Sequence, residues 1–127
     1  MDTRCVNVLV LAYLGDTVYE QYVRKFLIGK NIGSVNQLQR EAINYVSAVN
    51  QAKFLDCMIK KELLSDLELS IIKRARNHKC NSHPKNCDIV TYKHATSLEA
   101  LIGYLKLEGQ DGRIDEIMNF ILGGNLC

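Results

Sequence analysis

Three carboxylates sit in stretches of this chain that are otherwise free of charge. Between Cys5 and Val23 the only charged residues are Asp16 and Glu20, and from Ser97 to Leu105 the only one is Glu99. A carboxylate buried without a partner costs on the order of several kcal/mol. Acids distant in sequence could avoid that cost by converging on one divalent cation. Hard carboxylate oxygens suit Mg²⁺, with Mn²⁺ as a substitute. Such an ion can polarise a phosphodiester and lower the pKa of a water molecule that attacks it. On a helix Asp16 and Glu20 share a face, being four residues apart. Glu99 shares one with Thr96 and Gly103. Ala12 beside Asp16, and Gly103 beside Glu99, are small enough to leave room for a hydrated ion. Glu20 has a second reading, a salt bridge to Arg24 one turn on.

The elements that must hold these acids read as helices almost throughout. No sustained alternation marks a strand, and no Asn-Gly or Asp-Gly turn joins two apolar runs. A first helix is expected over about residues 5–28. Leu11, Leu14, Val18 and Tyr22 form one apolar stripe, and the other side also carries Leu9 and Tyr13. A helix apolar on two sides is either central in the core or at a subunit interface. Gly29 is a plausible stop. Ser34 reads as the N-cap of a second helix to about Tyr45, and Ser47 as that of a third to about Leu64. Ser65 opens a fourth, with Glu68 completing a capping box. A fifth is expected over 92–108 and a sixth over 112–122. The one proline, Pro84, marks a loop.

Charge is unevenly distributed. The chain carries 16 Lys and Arg against 14 Asp and Glu, a net charge of +2. Residues 73–94 hold Lys73, Arg74, Arg76, Lys79, Lys85 and Lys93 against Asp88 alone, a local charge of +5. The remainder has 10 basic and 13 acidic residues, net −3. A basic loop at about 77–91, with its flanks, suits the phosphate backbone of a nucleic acid. All three histidines, His78, His83 and His94, lie in the same segment.

The 127 residues suit one domain, and an apolar content of 47% excludes general disorder. No run of 18 apolar residues could span a membrane. The start of the chain lacks the layout of a signal peptide, so a cytoplasmic location is expected. The five cysteines are dispersed without a Cys-x-x-Cys, and reduced thiols are expected in that compartment. A zinc module built on His78, Cys80, His83 and Cys87 is conceivable, but its spacing fits no standard pattern. No Gly-x-Ser-x-Gly elbow and no phosphate-binding Gly-rich loop is present.

Leu14-Gly15-Asp16-Thr17-Val18-Tyr19-Glu20 and Leu98-Glu99-Ala100-Leu101-Ile102-Gly103 together resemble the ribonuclease III catalytic domain. There, a Leu-Gly-Asp signature helix and a later Glu-Ala-Leu-Ile-Gly helix build the metal site. The chain is more similar still to the Mini-ribonuclease III branch, which consists of the catalytic domain alone. Leu11-Ala12-Tyr13, Val46-Ser47-Ala48, Lys73-Arg74-Ala75-Arg76-Asn77, Pro84-Lys85-Asn86 and Thr91-Tyr92-Lys93 carry that likeness in order along the chain. The resemblance implies an all-α, homodimeric ribonuclease III fold over residues 1–127. It implies Mg²⁺-dependent cleavage of double-stranded RNA, with Asp16 and Glu99 catalytic and metal-binding and Glu20 a further candidate ligand. It also implies maturation of the 5′ and 3′ ends of the large-subunit ribosomal RNA precursor, with a ribosomal protein on the substrate as a candidate partner. Two positions depart from ribonuclease III proper. Ala12 and Thr96 stand where two more acids are usual, a reduction shared with the Mini branch. A duplex RNA-binding dimer without activity is the alternative these departures favour. No separate RNA-binding domain is expected, and the basic residues at 73–93 are therefore expected to contact the RNA.

Overall fold

The computed structural model describes residues 2–79, 85 and 87–124. It is all-helical among those residues. A 3-10 turn at Thr3–Cys5 precedes α1 (Val8–Ile28), α2 (Val35–Val46), α3 (Ala48–Lys60), α4 (Asp66–Arg76), α5 (Ile89–Leu107) and α6 (Asp111–Leu122). The start signals function as their chemistry requires. Ser34, Ser47 and Ser65 each accept a hydrogen bond from the backbone N–H three residues on. Glu68 returns the bond to the Ser65 N–H, completing the capping box.

Three boundaries differ from expectation. α1 begins at Val8, because the Asn7 side chain caps the Leu9 N–H. α3 stops at Lys60, where Glu62 turns left-handed at φ 55° and the Leu63 N–H closes on the Met58 carbonyl. α5 starts at Ile89, three residues early, which shortens the basic connection. Asp88 caps it, accepting from both the N–H and the hydroxyl of Thr91. Gly29 follows α1 with a helical φ of −64°, and the left-handed turn falls instead on Asn31.

α5 is the hub. It packs along α1 and against α3 and α4, with α6 covering its end. Ten of its residues between Ala95 and Leu105 are buried, on every side of the helix. That is why a 19-residue helix can carry so few charges: little of it meets water. α2 contributes no buried residue and lies on α1 and α3. An edge-on contact of Phe26 with Tyr45 and a stack of Tyr45 on Phe54 fasten it there. The buried Tyr19 hydroxyl donates to the Tyr45 carbonyl at 2.6 Å. No helix among the described residues is long and apolar enough to cross a membrane. Cys5 and Cys87 are free thiols, as expected.

A buried ion pair joins α4 to α6. Arg113 holds both oxygens of Glu68 at 2.8 Å and donates to the Leu63 carbonyl at 2.6 Å. Burial alone would raise the Glu68 pKa, but the Arg113 guanidinium and the Ser65 N–H overcome it and hold the carboxyl below its ordinary 4.5. The pair therefore stabilises the fold above pH 4.5 and ceases to do so as Glu68 protonates at lower pH. Replacing Arg113 with Met leaves Glu68 buried without its cation. We expect the variant to be less stable by about 2–3 kcal/mol at pH 7 in urea denaturation, with the deficit shrinking in acid. An unchanged midpoint would remove the pair from the account.

Candidate active site

The acids are brought together by two glycines. α1 and α5 touch backbone to backbone where Gly15 meets Gly103. A Cβ added to Gly15 would lie 1.7 Å from the Glu99 carbonyl oxygen, and one added to Gly103 would lie 1.9 Å from that of Leu11. No side chain fits at either position. Asp16 follows Gly15 directly, and Glu99 stands one turn before Gly103, so the crossing sets the two carboxyls side by side. The Asp16 carboxyl is near enough to raise the pKa of Glu99, after burial. The expectation that Gly103 leaves room for an ion is thereby corrected: the α1 backbone fills that room.

Burial also differs from the sequence reading. Asp16 is exposed, while Glu20 and Glu99 are partly so. The charge-poor surroundings of Asp16 are in part a surface: Leu9, Val10 and Tyr13 are exposed on α1, Tyr13 by 82%. The carboxylates therefore face outward, where a bulky substrate can reach them. Glu20 is paired with Arg24 at 3.2 Å. Its charge still reaches Glu99.

Glu99 responds to this setting. Burial first, then the Asp16 and Glu20 carboxylates, push its pKa from 4.5 up to about 8, against an opposing hydrogen bond from Gln51. Gln51 is 3% exposed on α3 and is the residue sequence reasoning missed. Its only signal was a polar residue on the core side of an amphipathic helix. Tyr19 lies close enough to Glu99 for burial and that charge to raise its phenol pKa as well. Ala12 and Thr96 supply no acid. Thr96 is buried, and its hydroxyl donates to the Tyr92 carbonyl of its own helix at 2.9 Å.

The donor set fits a hard divalent ion: two carboxyls in contact, an amide behind them and a surplus of negative charge that strains Glu99 toward protonation. Among the described residues no three His, Cys, Asp or Glu side chains gather around one point. Such an ion would have Asp16 and Glu99 as its protein ligands and would keep water for the rest. Of the zinc candidates, Cys80 and His83 lie outside the described residues.

The predicted basic residues fall into two groups. Lys73, Arg76, Lys79 and Lys85 are exposed, and Lys93 is partly exposed on the first turns of α5. Arg74 is committed elsewhere: its guanidinium donates to the carbonyls of Arg4 and Val6, the latter at 3.1 Å, tying α4 to the segment before α1. Part of the loop, residues 80–84 and 86, lies outside the described residues.

The helical fold is that of a known domain. The family model of the ribonuclease III domain matches residues 9–110, and the chain belongs to that family. It is an endoribonuclease of ribonuclease III type, a class that acts on double-stranded RNA. Within the family the chain is similar to the Mini-ribonuclease 3 proteins. It is 48% identical to that of Brevibacillus brevis, across 92% of this chain and 86% of the relative. With the Staphylococcus aureus protein the identity is 39%, across 94% and 89%. A crystal structure of a Fusobacterium nucleatum protein superimposes with a TM-score of 0.84 and 32% identity, covering 98% of each chain.

The Glu99 shift carries a sign. Because the folded state holds the proton more tightly, the resulting stabilisation is complete below pH 4.5 and is lost as pH rises through about 8. In EDTA the wild-type protein should lose roughly 2–4 kcal/mol of stability across that window. Glu99→Gln should flatten the loss and be the more stable protein at pH 9. Parallel melting curves for the two proteins from pH 5 to 9 would contradict this.

Proposed function

We propose that the protein is a Mg²⁺-dependent endoribonuclease in which Asp16 and Glu99 together hold the ion against the scissile phosphodiester of duplex RNA. The observation that carries this reading is the contact of the two carboxyls across the Gly15–Gly103 crossing. When bound, the ion supplies positive charge against the phosphate and lowers the pKa of water. The chain's own part is positional. α1 and α5 fix both carboxyls on rigid helices, and their exposure admits a duplex. Lys73, Arg76, Lys79, Lys85 and Lys93 supply cations for phosphates flanking the cut, so affinity should fall steeply with salt.

A homodimer supports the same reading. Leu9, Val10 and Tyr13 form an exposed apolar strip on α1, the helix that bears Asp16. Burying that strip against its copy in a two-fold dimer would place one acidic pair in each protomer, one for each strand. The likeness to the Mini-ribonuclease 3 branch favours the ends of the large-subunit ribosomal RNA precursor as substrate, in the cytoplasm. A ribosomal protein on that precursor would act by shaping the RNA presented to these residues.

The test is incubation with a long RNA duplex and with a single strand, each with Mg²⁺ and with EDTA. We expect the wild-type protein to cut the duplex alone and only with Mg²⁺. Asp16→Asn should lose at least about a thousandfold in rate, a barrier increase of ~4 kcal/mol, while binding duplex as before. Cleavage by Asp16→Asn at the wild-type rate, or cleavage in EDTA, would overturn the assignment.

A further inference from the structure

A second place on the molecule gathers cations apart from the acidic site. The 3-10 turn before α1 and the end of α4 enclose an open pocket of about 440 Å³, lined by Arg4, Asn7, Arg74 and His78 with apolar neighbours. No acid lines it among the described residues. Arg74 is already fixed in place there. Its two terminal nitrogens each donate to one carbonyl, of Arg4 and of Val6. A guanidinium carries five N–H donors in a planar fork. Three of those on Arg74, the Nε–H included, therefore have no partner among the described residues. Arg4 is exposed and paired with Asp2 at 3.4 Å. So exposed a pair is weak, and Arg4 can leave it for a better acceptor. His78 lines the same pocket, and its Nδ1 is buried without a hydrogen-bond partner. Buried polar groups are otherwise paired almost throughout a folded protein, so an unpaired one points to a role beyond packing.

We propose that this pocket binds a phosphate group, held by the remaining donors of Arg74 together with Arg4. Arg74 carries the assignment. Two carbonyls have fixed its guanidinium before any ligand arrives, and a planar fork matches two oxygens of a phosphate. The anchoring that removes Arg74 from the exposed basic group is what prepares it here. No acid stands in the first turn of α1, so the positive end of that helix adds to the same field. The site goes beyond the acidic pair and needs no ion. From Val8 to Asp16 the helix rises by about 12 Å, two turns. A phosphate of an RNA strand is one source of the group, and free inorganic phosphate is the other.

The test follows the Arg74 Nε–H signal by nitrogen–proton NMR, identified by its absence from Arg74→Lys. Inorganic phosphate is added to the wild-type protein in one arm and an RNA duplex, in EDTA, in the other. Arg4→Gln is run beside it, a variant that keeps the backbone carbonyl on which Arg74 rests. We expect the signal to shift in both arms and to shift less in Arg4→Gln. Duplex affinity is measured in parallel from about 50 to 200 mM salt, and the slope of log affinity against log salt should fall by about one in Arg4→Gln. A shift with duplex and a lower slope assign the phosphate to RNA, whereas a shift with inorganic phosphate alone assigns it to the free ion. No shift in either arm, or equal shifts in wild type and Arg4→Gln, would overturn the site. Wild type that cuts duplex with Mg²⁺ yet shows no shift sinks this inference alone. Wild type that shifts with phosphate yet cuts no duplex sinks the functional reading alone.

Discussion

The structure depends on one contact, the backbone approach of α1 and α5 at Gly15 and Gly103. The contact is reciprocal. The Leu11 carbonyl, one turn before Gly15, lies against Gly103, and the Glu99 carbonyl, one turn before Gly103, lies against Gly15. Helices satisfy their own backbone hydrogen bonds, so two of them can meet this closely without an energetic debt in polar groups, provided no Cβ intervenes. The usual spacing of packed helices is set by side chains. Here that layer is missing at one point, and the acids beside it are drawn together.

An electrostatic consequence follows from that steric one. Asp16 and Glu99 are each tolerable alone, the first in water and the second half in it. Burial, and after it the Asp16 carboxylate alongside, push the Glu99 carboxyl up to about 8. A helix pair held by van der Waals contact of two glycines cannot relax apart to relieve the repulsion. The relief must come from a proton, from the Gln51 amide or from a cation. On the proposed reading, the fold would hold these carboxyls in place before an ion binds.

Much of this was legible in the sequence. The three serine caps, the capping box and the charge-poor stretch around Glu99 each have a local cause, and each produced the element expected. That distant acids converge was an expectation from their charge-poor settings, and the family resemblance narrowed it to Asp16 and Glu99, because nothing local in α1 points at α5. Gly103 was visible, but its meaning was inverted: it makes room for the α1 backbone rather than for an ion. Gln51 was missed because an uncharged polar residue on an amphipathic helix carries no pattern until its neighbour is known. Arg74 read as one more cation of a basic patch, and only the tertiary fold shows it bound to the Arg4 and Val6 carbonyls. The start of α5 was placed late because Ile89, Val90 and Thr91 are β-branched and argue weakly for helix, whereas the Asp88 cap outweighs them.

The most direct test of the central contact is Gly103→Ala, one methyl group placed where the Leu11 carbonyl oxygen now lies. The melting temperature and the rate of Mg²⁺-dependent duplex cleavage would be measured on the same preparation. The contact, if it is as close as 1.9 Å from a Cβ implies, cannot absorb the methyl. The variant should melt at least several degrees lower, and whatever remains folded should cut duplex at least a hundredfold more slowly, roughly 3 kcal/mol in the barrier. A variant that melts with wild type and cuts at its rate would show that the helices do not meet there, and that the site is assembled by something else.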